Sequence, residues 1–248
     1  MITSKIASAL TAGCLLVSTG PAVAVDGEIL ITQAKALQGN VTPNDTAGFP
    51  ITISRAGVYK LAGTLTPPQN SAGFQVTAAN VTIDFDGFQL LGGGVANRGV
   101  IGSRSGLTLL DGTIEGFLHE GVLSTNTASL YWTVTNMRVV RNAGDGFKTE
   151  SDFARVQNST FANNGGQGIQ CENGCHIEGS IIARNGGDGI NIANGTVLGN
   201  TIVDNEDFGI HSFGGTGFGN NTLRLNNSNG PQTSEVVPLE PNFCAPAC

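Results

Sequence analysis

Residues 177–210 read IEGSIIARNGGDGINIANGTVLGNTIVDNEDFGI. The stretch holds two copies of one pattern. Ile177, Ile182 and the pair Gly189-Ile190 recur as Val197, Ile202 and Gly209-Ile210, each 20 residues later. Within a copy, the second apolar residue follows the first by five positions, and the residue after the glycine follows the second by eight. The same offsets hold for Leu109, Ile114 and Val122, for Val134, Val139 and Phe147, and for Val156, Phe161 and Ile169. Phe218 and Leu223 start the next copy. The residues after glycine, Val100, Val122, Phe147, Ile169, Ile190 and Ile210, are 22, 25, 22, 21 and 20 residues apart. All the length variation falls between one Gly-apolar pair and the next copy. A repeat of this period built from one supersecondary unit cannot bury its apolar face alone, so the copies must stack.

The short runs alternate apolar and polar residues, as in Thr82-Ile-Asp-Phe-Asp86 and Gly189-Ile-Asn-Ile192, which is the period of a strand and not of a helix. The fixed leucine framework of a leucine-rich repeat is missing. Three strands per coil, each lying on the same strand of the next coil, make a parallel β-helix. Apolar residues then stack inside at about the 4.8 Å strand spacing. A left-handed coil would need a tighter hexapeptide pattern, which is absent. Three residues after each third-strand position come Asn142, Asn164, Asn185, Asn205 and Asn226. Asparagine tolerates left-handed backbone and bonds its neighbours' main chain, so this row is read as a recurring turn and not as a binding ladder. The expectation is one all-β domain of about seven coils over residues 51–230, with a lead-in over 25–50 that caps one end.

The composition agrees. The 248 residues include 36 glycines, about twice the usual ~7% share, and only 12% charged residues. The glycines fall before the Gly-apolar strands and in the turns, without the period of three that collagen needs. A net charge of -7 and a pI near 4.8 disfavour a nucleic-acid binder. Met1 to Ala24 carries one early Lys5, an apolar run and Ala22-Val-Ala24, which reads as a secretory signal peptide cleaved after Ala24 and not as a membrane span. The expected location is secreted or periplasmic. Four cysteines then remain, Cys171, Cys175, Cys244 and Cys248, in two C-x-x-x-C spacings. Two local disulfides are the first expectation in an oxidising compartment, with a metal site as the alternative. The tail, 231–248, is expected to fold back under that constraint.

Val81-Thr-Ile-Asp-Phe-Asp-Gly87 and Arg184-Asn-Gly-Gly-Asp-Gly-Ile190 resemble the bacterial right-handed parallel β-helix repeat proteins, which share an architecture with the pectate lyases. The lead-in Ile51-Thr-Ile-Ser-Arg-Ala-Gly-Val-Tyr-Lys-Leu61 is similar to that group as well. The resemblance covers roughly residues 50–230. It implies right-handed coiling and a link to extracellular polysaccharide lyases, hydrolases and epimerases. The Gly-His-Gly and Arg-Ile-Lys motifs of polygalacturonase-like enzymes are absent, and so is the Asp/Arg cluster of the pectate lyases.

The outward positions of the Gly-apolar strand are where chemistry is expected. One residue after each apolar position come Lys148, Gln170, Asn191 and His211, and two before it come Glu120, Asp145 and Asp188. Glu120 and Asp145 would sit on adjacent coils about 5 Å apart, near the spacing of a retaining glycosidase pair. Asp145 and Asp188 would be about 10 Å apart, at or beyond the inverting range. Lys148 beside Asp145, or His211, could serve as a base. Arg141 and Arg184 share one turn position and suit substrate carboxylates. Trp132 could stack on a sugar. Asp84 and Asp86, with Asp111 on the next coil, form an oxygen cluster of the kind that calcium favours. Asp204, Glu206 and Asp207 read as a solvated turn.

Two functions follow as expectations. The first is a secreted protein that binds or acts on an extracellular, acidic polysaccharide along this stripe. The second is a noncatalytic envelope or surface module whose long face binds a partner.

Overall fold

The computed structural model describes residues 27–126, 131–150 and 152–248. The signal-peptide expectation over 1–24 lies outside them. Among the described residues every strand pairing is parallel, and the chain winds as an all-β solenoid. The first ladder runs through Ile51, Phe74, Val100, Val122, Phe147, Ile169, Ile190, Ile210 and Thr233. The second passes through Tyr59, Ile83, Leu109, Val134, Val156, Ile177, Val197 and Phe218. The third passes through Leu90, Ile114, Val139, Phe161, Ile182, Ile202, Leu223 and Cys244. The five- and eight-residue offsets are therefore register: they bring one apolar residue of every coil into each column. Nearly all these side chains are fully buried and together form the core.

The described residues make about nine turns, where the sequence pattern suggests seven. The extra coils lie at the ends and lack the full signature. Ile51 follows Pro50 instead of glycine, Phe74 precedes the next Gly-apolar residue by 26 positions, and Thr233 follows Gln232. The tail does not fold back. Thr233–Pro238 and Phe243–Ala245 pair in parallel with Ile210–Gly219 and Thr222–Arg224 and add rungs to the stack. At the other end, helix Gln33–Gln38, capped by the Thr32 side chain, buries Ala36 in the core.

The turns repeat as regularly as the strands. Arg141, Asn163, Arg184, Asp204 and Leu225 all adopt left-handed backbone, with φ between 54° and 58°. Each is followed by a buried asparagine of the row Asn142, Asn164, Asn185, Asn205 and Asn226. In this row Oδ1 accepts from the main-chain N–H and the Nδ2 of the asparagine one coil earlier, at 2.9–3.1 Å. The row ends on Gln232, whose Oε1 accepts from Asn226. A second row, Ser159, Ser180, Asn200, Asn221 and Asn242, links the other turns in the same way. Glycine before the first ladder is a matter of space: a Cβ on Gly168 would lie 2.6 Å from the Gly189 carbonyl oxygen. No helix among the described residues is long and apolar enough to cross a membrane.

Candidate functional site

Most strands of the first ladder are three residues long, with both end residues inward and the middle one outward. The outward column is Thr52, Gln75, Ile101, Leu123, Lys148, Gln170, Asn191, His211 and Ser234. It is apolar at Ile101 and Leu123 and polar from Lys148 onward. Beside it runs a second row on successive coils: Arg98, Glu120, Asp145, Gln167, Asp188 and Phe208. Their order follows from the bonds of Gly99 N–H to Glu120 O, Gly121 N–H to Asp145 O, Gly146 N–H to Gln167 O, Gly168 N–H to Asp188 O and Gly189 N–H to Phe208 O.

Arg98 and Glu120 form an ion pair, with Nε 2.5 Å from Oε2. Burial by itself would raise the Glu120 pKa, but the Arg98 hydrogen bond and charge outweigh it and hold the carboxyl below its ordinary value. Its neighbour Asp145 goes the other way. Burial raises it, while the Gln167 N–H that bonds Oδ1 at 2.7 Å and the Lys148 charge pull back only in part. Two adjacent carboxyls thus have their pKa values pushed apart, which is the pattern of an acid and an ionised partner. Asp145 and Asp188 are two coils apart, with Gln167 between them; Gln167 Oε1 is buried without a hydrogen-bond partner. Arg98 sits two residues before Val100, the same offset that picked out Glu120 and Asp145, and that offset was the signal for it.

Asp188 is 5% exposed and organises the far end of the stripe. Its Oδ2 accepts from Asn191 Nδ2 at 2.8 Å and from His211 Nδ1 at 3.1 Å, and its Oδ1 accepts from Phe208 N–H at 3.0 Å. A carboxylate only accepts, so Nδ1 of His211 is the donor, and in the neutral imidazole that tautomer leaves the lone pair on Nε2. The ring contacts Phe208 and the exposed Phe213, at 5.2 and 4.4 Å between centroids. The offsets that set Lys148 beside Asp145 also set His211 beside Phe208, whereas nothing in the spacing marks Phe213 as a neighbour.

Lys148 and Gln170 border a groove of about 420 Å³, completed by Glu150, Asp152, Glu172 and Asn173. Trp132 is not available to a sugar: it is 1% exposed, donates Nε1–H to Arg104 O at 2.9 Å, and packs against Phe147. Arg141 is bound to Glu115, and Arg184 Nε lies 3.8 Å from Asp204 Oδ2, so each has an intramolecular carboxylate. They are two coils apart on the turn, away from the first ladder's outward column.

The Asp84 and Asp86 carboxylates face a protein cation. Lys60 Nζ lies 3.8 Å from Asp84 and 3.1 Å from Asp86, and Asp84 also accepts the Asp86 N–H. Asp86 has turned into left-handed backbone past the strand end, and Asp111 accepts from Asn136 Nδ2 at 2.9 Å. Among the described residues no group of three or more His, Cys, Asp or Glu side chains is set to hold a metal ion. The four cysteines among the described residues are bonded as Cys171–Cys175 and Cys244–Cys248.

Comparison with known structures finds the same architecture. The chain superposes on a pectate lyase, Pel9A, with TM-score 0.63 and 18% identity, over 88% of this chain and 64% of that one. It superposes on the A-module of the Azotobacter vinelandii mannuronan C-5 epimerase AlgE4 with TM-score 0.60 and 14% identity, over 86% and 63%. A variant of the periplasmic alginate epimerase AlgG gives 0.51 and 16%, over 78% and 45%. The chain thus spans less than two thirds of each of these proteins. No curated protein sequence matches it. A family model described as right handed beta helix region matches residues 98–235, more than half of the 248. Together with the parallel ladders and the coil register, that match means that this chain belongs to the right handed beta helix region family.

Proposed function

We propose that the protein is secreted and acts on an extracellular polysaccharide laid along Lys148, Gln170, Asn191 and His211, with His211 as the base. The observation that carries this reading is the buried Asp188 carboxylate on His211 Nδ1. It fixes the tautomer and ring orientation, so Nε2 takes a proton from the sugar or from an attacking water, and the imidazolium that forms is stabilised by Asp188. Phe213, exposed beside the ring, offers an apolar surface to a sugar face. The likeness to proteins named for pectate, mannuronan and alginate supports a polysaccharide as the ligand class.

Incubation with a panel of acidic, neutral and amino-sugar polysaccharides, scored for new chain ends and changed sugar composition, tests the proposal. His211→Gln is expected to lower turnover by about 100-fold or more while leaving binding in place. Asp188→Asn is expected to lower it too, because an amide in place of the carboxylate no longer secures Nδ1–H. Equal turnover in wild type and His211→Gln overturns the assignment. The structure also offers an observation for a noncatalytic module: the turns beside the stripe are short, and Glu120 is tied up by Arg98. Saccharide binding without turnover of any panel member establishes that second reading.

A further inference from the structure

We propose that the groove beside Lys148, with the aromatic pair Tyr131 and Phe153, is a subsite for a cationic amino-sugar unit. The inference rests on the polysaccharide reading and names the sugar class at one end of the stripe.

The two rings are stacked, 5.5 Å between centroids and 17° between planes, and remain 63% and 49% exposed. Large aromatic side chains are ordinarily drawn into a core. Here left-handed backbone turns both outward, with φ of 62° at Tyr131 and 61° at Phe153. Bulky residues rarely adopt that region. The next coil supplies the foundation: a Cβ on Gly174 would lie 2.5 Å from the Phe153 ring, so only glycine leaves room for it. Gly174 lies in the loop closed by Cys171–Cys175, which also carries the groove residues Glu172 and Asn173. Main-chain bonds join platform and groove, from Tyr131 N–H to Asp152 O and from Phe153 N–H to Asn173 O. A disulfide-closed loop thus holds one groove wall and the floor under the rings, which lowers the ordering cost of binding.

Charge selects the ligand. The groove sets one ammonium, Lys148, against three carboxylates, Glu150, Asp152 and Glu172. The ion pairs among the described residues engage Asp84, Asp86, Glu115, Glu120, Glu178, Asp188 and Asp204, and none of the three groove carboxylates. Like charges opposing one another cost binding energy, so a uronate is disfavoured here. An ammonium on a sugar ring gains twice, from the carboxylates and from the face of an aromatic ring within about 6 Å. The ring's apolar face meanwhile rests on the platform.

Titration of the full chain with a glucosamine oligosaccharide, its N-acetylated counterpart and an oligogalacturonate tests the proposal. The glucosamine oligomer is expected to bind most tightly, with an affinity that falls as salt rises. Tyr131→Ala and Glu172→Gln are each expected to weaken it about tenfold, and Tyr131→Phe, which keeps the stack, to retain it. Unchanged melting temperatures identify these as binding effects. Equal or tighter binding of the oligogalacturonate overturns the proposal, as does full retention of glucosamine binding in both weakening variants. A uronate turned over through His211 with no response to Tyr131→Ala would sink this subsite alone. Glucosamine binding at the platform with no turnover of any polymer would sink the catalytic reading alone.

Discussion

Asp145 and Glu120 occupy the same position on adjacent coils and yet are driven in opposite directions. Asp145, raised by burial, contributes stability that is fully present below the ordinary carboxyl pKa and is lost as pH rises through its folded value. Glu120, held low by Arg98 against its burial, contributes stability that is present above the ordinary value and is lost as pH falls through its folded one. Asp145→Asn is therefore expected to raise the melting temperature at neutral pH, because the amide oxygen still accepts from Gln167 N–H and no charge is buried. The gain should vanish in acid. A variant less stable than wild type at neutral pH, measured by thermal melts across the acid range, would show that the carboxylate is stabilising and the account wrong. The offsets from the repeat placed Glu120, Asp145 and Asp188 in one row. They did not show which carboxylate meets Arg98 and which meets His211, because that is settled by side-chain reach between coils.

At the scale of the element, short strands are held by what lies between them. A three-residue strand has few main-chain bonds, and the buried asparagine rows supply the rest at each turn. The Asn185 side chain makes four bonds: Nδ2 donates to Phe161 O and Asn205 Oδ1, and Oδ1 accepts from Asn164 N–H and Nδ2. Asn185→Ala would strand Phe161 O and Asn164 N–H in a buried turn, while Asn205 Oδ1 keeps the Asn185 N–H and Asn164 Nδ2 keeps Val139 O. A loss of about 2–4 kcal/mol is expected in urea unfolding, since each orphaned buried group costs roughly 1–3 kcal/mol. A loss below about 0.5 kcal/mol would mean that water or a shifted turn replaces the amide. The regular spacing made the first row legible as turns. The second row carries no such mark, because it begins as Ser159 and Ser180 and becomes Asn200, Asn221 and Asn242, so no single residue type runs along it.

For the molecule as a whole, the stack of coils implies a gradient of stability along its axis. A coil in the middle has neighbours on both sides, whereas Glu28–Ile31 and Phe243–Ala245 each pair with one. Hydrogen exchange should be slowest in Phe147–Thr149, Ile169–Cys171 and Ile190–Ile192. It should be faster at the two ends, by opening free energies lower by at least about 3 kcal/mol. Uniform protection along the chain would instead indicate a single cooperative unit. The sequence by itself determined the coil, its three columns and the stripe, because a stacked core tolerates no slip in register: one residue of error turns every inward side chain to solvent. Trp132, two positions before inward-facing Val134, is turned inward by the same alternation, against the expectation that it stacks on a sugar. Only the tertiary structure decided the coils at each end, which carry a weaker signature, and the partners of the charged residues. Lys60 lies on Asp84 and Asp86, Arg98 on Glu120, and Asp188 on His211. Such contacts join residues more than twenty positions apart, and they depend on rotamers and turn geometry that no spacing along the chain encodes.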